Sequence, residues 1–325
     1  MRVDPIVLFI SVATLFCYML PGFILKKTKF ADDHFAKNLS LHVLYVAQVC
    51  LLMHGFLVEF DSKVFVGILK TLIIAFAVHT LFYFFAKCFF RKQPDKRRRV
   101  LQFGIIFSNA GYMGIPVICS CLGDEYAIYA TVYIVAFNTF SFTLGRLIYT
   151  DDKRFISLKQ VFINPAVIPI AIGMLCYVTG VGGFIQSQLN TNSFVGEAVT
   201  VIYNVITVLK NTVAPISMIV IGVRLAEIKL KGIFNDKTLY PFLFIRLLLF
   251  PTIVWLILKP LLMLGVIDQT IMTVVLILSS TPAAAVTTMF AELYDGDSPY
   301  SGKLVAICTL CSVISMPIVA LLMYI

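Results

Sequence analysis

The sequence predicts an all-α integral membrane protein of ten transmembrane helices in a 5+5 inverted repeat. Three observations predict it: the bulk composition, the spacing of the apolar runs, and two interrupted runs at matching positions of the two halves. Of 325 residues, 60% are hydrophobic and 13% charged, whereas a soluble domain carries about 25% charged and roughly half apolar residues. Apolar surface on this scale requires lipid around it, and the mean hydropathy of +0.94 agrees. A net charge of +9 would suit nucleic acid in a soluble protein. Here the basic residues sit between apolar runs, so they are read as topology signals and no nucleic-acid partner is expected.

Apolar runs fall near 5–25, 38–58, 64–86, 100–121, 126–148, 162–182, 198–222, 238–258, 268–291 and 301–324. Each approaches the roughly 20 residues that a helix needs to cross the bilayer, and the short connections leave no room for a large soluble domain. The first run follows Asp4-Pro5 and precedes no small-residue cleavage site, so it reads as a membrane helix rather than a signal peptide. Residues 1–150 then form the first five-helix repeat and 151–325 the second. Alternate connections hold Lys26, Lys27, Lys29 and Lys37; Lys87, Arg91, Lys92 and Lys96–Arg99; Arg146, Lys153, Arg154 and Lys159; Arg224, Lys229, Lys231 and Lys237; and Lys303. The opposite side holds Arg2, Lys63 and Lys259. This asymmetry predicts a multi-pass protein of the plasma membrane with both termini extracytoplasmic. The basic run at 96–99 reads as an anchor at anionic headgroups.

Several function classes fall away. Eight cysteines show no disulfide framework and four histidines no metal-ligand spacing. There is no phosphate-binding Gly/Lys loop, no zincin pair and no serine elbow, so no enzyme, cofactor or metal is expected. No Asp or Glu lies deep in a run, which weakens a carboxylate proton relay. Coupling to a proton or sodium stays open, because carbonyls and hydroxyls also bind cations.

The chemistry concentrates at two breaks. The fourth run, LQFGIIFSNAGYMGIPVICS, carries Ser108, Asn109, Gly111, Gly114 and Pro116 near its middle; the ninth carries Thr281-Pro282 centrally and Thr287 beyond. Backbone breaks at membrane depth survive where protein or a water-filled cavity surrounds them. Five is odd, so successive five-helix repeats run in opposite senses, and breaks at corresponding positions point to a midplane substrate site. Exposed amides and positive helix ends there favour an anionic group. Asn138 either hydrogen-bonds to the break or joins helices. Arg246 snorkels, pairs with an acidic loop residue, or meets the substrate. Tyr45 and Gln48 line a facing wall or serve packing, and Asn164-Pro165 is an entry turn or a further site element.

These motifs resemble the auxin efflux carrier family of prokaryotes, which is related to plant auxin exporters and more distantly to bile acid sodium symporters. The stretch Ser108-Asn109-Ala110-Gly111-Tyr112-Met113-Gly114-Ile115-Pro116 resembles the family's helix 4 crossover. Leu122-Gly123, Asn138 with Leu144-Gly145, Asn164-Pro165, and Pro282 with Ala291-Glu292-Leu293-Tyr294 are similar to further family patterns. The resemblance implies that broken helices 4 and 9 cross at the site. It implies a homodimeric scaffold from 5–58 plus 162–222 and a moving transport domain from 64–148 plus 238–324. The implied activity is efflux or exchange of small organic anions, such as dicarboxylates or auxin-like carboxylates, by elevator-type alternating access. A sodium-coupled symporter and a non-transporting solute sensor on the same fold are the alternatives.

Overall fold

The computed structural model describes residues 4–32, 34–150, 163–227 and 233–325. The boundary expected at 150/151 borders the undescribed segment 151–162. Arg2, Lys153, Arg154, Lys159, Lys229 and Lys231 lie outside the described residues. The described chain is helical throughout: α1 (Pro5–Lys27), α2 (Phe35–His54), α3 (Ser62–Ala86), α4 (Asp95–Ile106), α5 (Ala110–Leu122), α6 (Asp124–Thr150), α7 (Val167–Val178), α8 (Val181–Gln188), α9 (Phe194–Glu227), α10 (Leu239–Met263), α11 (Gln269–Ser280), α12 (Val286–Leu293) and α13 (Ser298–Tyr324).

Helix starts follow local chemistry. A helix leaves its first amides without intrahelical partners, and a carboxylate or hydroxyl one residue upstream satisfies them. Asp4 accepts from the Ile6 N–H at 2.8 Å, Asp61 from Lys63 at 2.6 Å, Ser193 from Gly196 at 3.0 Å and Asp268 from Ile271 at 2.8 Å. Proline, which has no amide to lose, occupies the first turn of α1 and of α13.

The ten-helix, 5+5 expectation is corrected. Among the described residues, seven helices (α1, α2, α3, α6, α9, α10 and α13) are long and apolar enough to cross a membrane, and eight if α7 and α8, bent by 76° at their junction, count as one span. The fourth and ninth apolar runs are not continuous helices. Phe107 and Thr281 are extended, so α4 and α11 stop after 12 residues each. At 1.5 Å per residue such an arm reaches about 18 Å, short of the roughly 30 Å hydrocarbon core. Nor do the described halves match as a clear repeat. The first begins with a 23-residue and a 20-residue helix, whereas the second begins with the bent pair and a 34-residue helix.

Burial separates a lipid-facing shell from a protein-enclosed centre. Only 28% of the apolar window of α1 and of α9 is buried, against 67% for α6. Every residue from Val100 to Ile106 and from Ile271 to Ser280 is buried, so α4 and α11 are wrapped in protein on all sides. That enclosure is the condition under which a membrane protein keeps a broken backbone. Helices α1, α2, α7 and α9 pack on one another; α3, α4, α5, α6, α10, α11, α12 and α13 form a second group, touched by the first along α1–α13, α1–α5, α9–α5, α9–α13 and α7–α6.

The basic run before α4 is partly spent inside the protein. Arg97 bridges Asp236 at 3.0 Å and Asp297 at 3.4 Å and stacks over the Tyr300 ring, while Lys96 meets Asp295 at 2.6 Å. These contacts tie the start of α4 to the starts of α10 and α13.

Candidate functional site

The two breaks meet. The Asn109 N–H donates to the Pro282 carbonyl at 2.8 Å and the Ala284 N–H to the Phe107 carbonyl at 2.9 Å, an antiparallel bridge centred on Ser108 and Ala283. Each extended segment thus satisfies amides that no helix serves. Pro282, which cannot donate, contributes only its carbonyl. The Ala283 N–H donates to Cys308 Sγ at 3.4 Å, which pins the bridge to α13.

Beyond the bridge, α5 opens with a wide turn. The Asn109 carbonyl accepts from both Met113 (3.2 Å) and Gly114 (3.0 Å). Such π-type turns are uncommon and recur at functional sites. Close approach explains Gly114, where a methyl would stand 2.6 Å from Leu278 Cδ2 of α11. Gly111 faces Gln48 of α2, whose Nε2 lies 3.3 Å from where a methyl would be.

The helix ends at the crossing carry opposite electrostatics. The N-terminal ends of α5 and α12 begin at partly exposed residues, Gly111 and Tyr112 in one and Ala285 and Val286 in the other. The Ala110 N–H of α5 donates to the Ser108 carbonyl at 2.7 Å, and those of Thr287 and Thr288 in α12 to Ala284 and Ala285 at 2.9 and 3.1 Å; the Gly111, Tyr112, Ala285 and Val286 amides stand at the positive ends of the helix dipoles. The C-terminal ends of α4 and α11 are closed by Arg246 of α10. Its fully buried guanidinium donates to the carbonyls of Ile105 (3.3 Å), Ser279 (3.0 Å) and Thr281. Polar capacity is left over nearby: Thr287 Oγ1 and Gln48 Oε1 are buried without partners, and the Asn109 side-chain amide makes no hydrogen bond among the described residues.

A family model described as membrane transport protein matches residues 7–320. The chain belongs to that family. The likeness to auxin efflux carriers drawn from residues 108–116 is thereby borne out across nearly the whole chain, and the chain is a non-enzymatic member of a transporter family. No curated protein sequence matches it. Among the described residues, no three His, Cys, Asp or Glu side chains form a group able to hold a metal ion.

The crossing assembles Ser108, Asn109, Gly111, Gly114, Thr281, Pro282 and Arg246, with Gln48 reaching Gly111 from α2. Pro116 is buried in the first turn of regular helix after the wide turn. Asn138 lies on α6, donating to Ile134 at 3.0 Å, and Ile134 Cδ1 is 3.7 Å from the Gly111 position. Thr287 is buried near the start of α12. Two residues stand apart: Tyr45 is 58% exposed on the outer face of α2, and the Asn164 side chain accepts from the Ala166 N–H, forming the turn that starts α7.

Sequence reasoning passed over three residues at the crossing. His79 of α3 is buried beside Phe107, Tyr133 and Phe140, with its Nδ1–H donating to Ala75 at 2.8 Å and its Nε2 unpartnered. Cys308 and Tyr133 flank the guanidinium of Arg246. A lone polar residue in an apolar run was the available signal for His79. For Cys308 and Tyr133, common in membrane helices, there was none.

Proposed function

We propose that this carrier is a secondary transporter that exports or exchanges small organic anions, such as dicarboxylates or auxin-like carboxylates, with the crossing as its solute site. One observation carries this reading: two helix N-termini open partly exposed at a buried crossing whose C-terminal carbonyls are already closed by a cation. The remaining electrostatic demand is for negative charge, and the Asn109 amide and the Thr287 hydroxyl, without partners among the described residues, can donate to it. Asn138 borders the same space.

The two packing groups support elevator-type alternating access. A scaffold of 5–58 plus 162–222 would stay fixed, paired with a second copy, while 64–148 plus 238–324 carries the crossing across the membrane. The basic connections support a plasma-membrane orientation with both termini extracytoplasmic.

The test is uptake of radiolabelled organic anions into proteoliposomes by wild-type protein and Asn109→Ala. A hydrogen bond to a charged group contributes about 1.5–3 kcal/mol. The variant should therefore insert normally and lose about ten-fold or more in transport. Equal uptake would remove Asn109 from the site.

A further inference from the structure

Arg246 closes the C-terminal helix ends at the crossing, and the solute reading does not say why a full cation stands there. It stands in a wide turn of α10, Ile245–Leu249, with no exposed surface. Its partners are three backbone carbonyls, from Ile105 at the end of α4 and from Ser279 and Thr281 at the end of α11. Carbonyls at helix C-termini lack intrahelical donors and carry the negative end of the dipole. Two such ends converge here within an apolar enclosure, so the enclosure favours a cation.

The titratable groups facing the guanidinium are Tyr133 of α6, Cys308 of α13 and His79 of α3, and none is a carboxylate. Among the described residues the hydrogen-bond partners of the guanidinium are peptide carbonyls. A cluster of converging carbonyls with no carboxylate is also the kind of site that binds a hard monovalent cation from solution. In this chain the position is filled by a side chain.

We propose that Arg246 is a tethered counter-cation: its guanidinium takes the place at the crossing that a coupling cation would occupy, and the carrier works without sodium there. The proposal rests on the crossing being the transport site, and it deepens that reading by naming the ion coupling. It also separates Arg246 from the solute: Nη1 and Nη2 are committed to carbonyls, and Nε is buried without a partner.

The experiment has two arms. In the first, purified wild-type protein is melted in detergent with sodium, potassium or choline chloride at equal ionic strength, alongside Arg246→Ala and Arg246→Lys. Wild-type melting should be the same in all three salts. Arg246→Ala should melt several degrees lower and be restored by low millimolar guanidinium but not by choline, an effect that loss of packing alone would not produce. Arg246→Lys should keep most of the stability in every salt. In the second arm, anion flux into proteoliposomes should be equal in sodium and choline.

A sodium dependence of wild-type flux of about five-fold or more, the scale of a genuine coupling, would overturn the proposal. So would sodium-specific stabilisation of the wild type, or an Arg246→Ala protein indifferent to guanidinium. If Arg246→Ala does not accumulate, the wild-type salt series and Arg246→Lys decide. If no organic anion moves at all, the transport reading fails while the melting arm still judges the counter-cation.

Discussion

Lys210 of α9 donates to the carboxylate of Asp124 at the start of α6, and the two ends of this pair sit in different surroundings. The lysine side chain is 4% exposed and the aspartate side chain 58%. The pair links the two packing groups of helices, so it joins parts that an elevator motion would separate.

The asymmetry predicts unequal effects of neutralising either partner. Asp124→Asn leaves an ammonium buried without a counter-charge, and breaking a buried pair in this way costs about 3–5 kcal/mol. The half-exposed carboxylate places the cost lower, at about 2 kcal/mol, between the buried and surface limits. Lys210→Met removes the buried charge, fills similar volume and leaves a carboxylate that water can solvate, so it should cost less than about 1 kcal/mol. Thermal melts in detergent check the order; an equal or reversed order would show that the lysine is not the desolvated partner.

A second prediction concerns α1 against α9. A methyl at Gly22 would stand 2.0 Å from the Ile219 carbonyl oxygen, and one at Gly222 would stand 2.0 Å from that of Met19. The obstruction on each side is backbone, which cannot rotate away, so the helices meet main chain to main chain in the manner of small-residue membrane interfaces. Gly22→Ala or Gly222→Ala should force the helices apart and cut the yield of folded protein sharply, by roughly 3 kcal/mol or more of stability. Gly265 is the control. It has φ +69° with nothing within 4 Å of the added methyl, so Gly265→Ala meets only the left-handed backbone penalty of about 1–2 kcal/mol. Size-exclusion profiles of the three variants should rank accordingly.

How far the sequence foretold this arrangement depends on which atoms do the work. Asp4, Asp61 and Asp268 announce helix starts because their side chains make the capping bonds. The breaks announce themselves through Asn109, Gly111, Gly114 and Pro282. The span count misleads because Phe107, which leaves the first helix, carries no breaking signature, and because Pro282 behind Thr281 marks a break without saying whether the span merely kinks or stops. The partners of Arg246 are hidden for a different reason. They are main-chain carbonyls, which every residue possesses, so no pattern of side chains marks them. Lys210 and Asp124 are 86 positions apart, and their pairing follows from the packing of α9 on α5 and α6 rather than from either local sequence.

The last prediction sets the orientation. Helix α3 has 25 residues, a length of about 37 Å that exceeds the roughly 30 Å hydrocarbon core. Lys63 at its start and Cys88 just past its end are both exposed, so they must lie on opposite faces of the membrane. The basic cluster from Lys87 to Arg99 surrounds Cys88, so the charge asymmetry predicts that this end faces the cytoplasm. The start of α13 lies on the same face, because Arg97 binds Asp297 and covers Tyr300. One crossing later, Ile325 is predicted to lie outside. In a background without other cysteines, Lys63→Cys should react with an impermeant maleimide on intact cells. Native Cys88 should react only after permeabilisation, and a cysteine placed at Ile325 should behave like the one at 63. Labelling of 63 and 88 from the same face would overturn α3 as a span, and a reversed pattern would overturn the orientation while leaving the span intact.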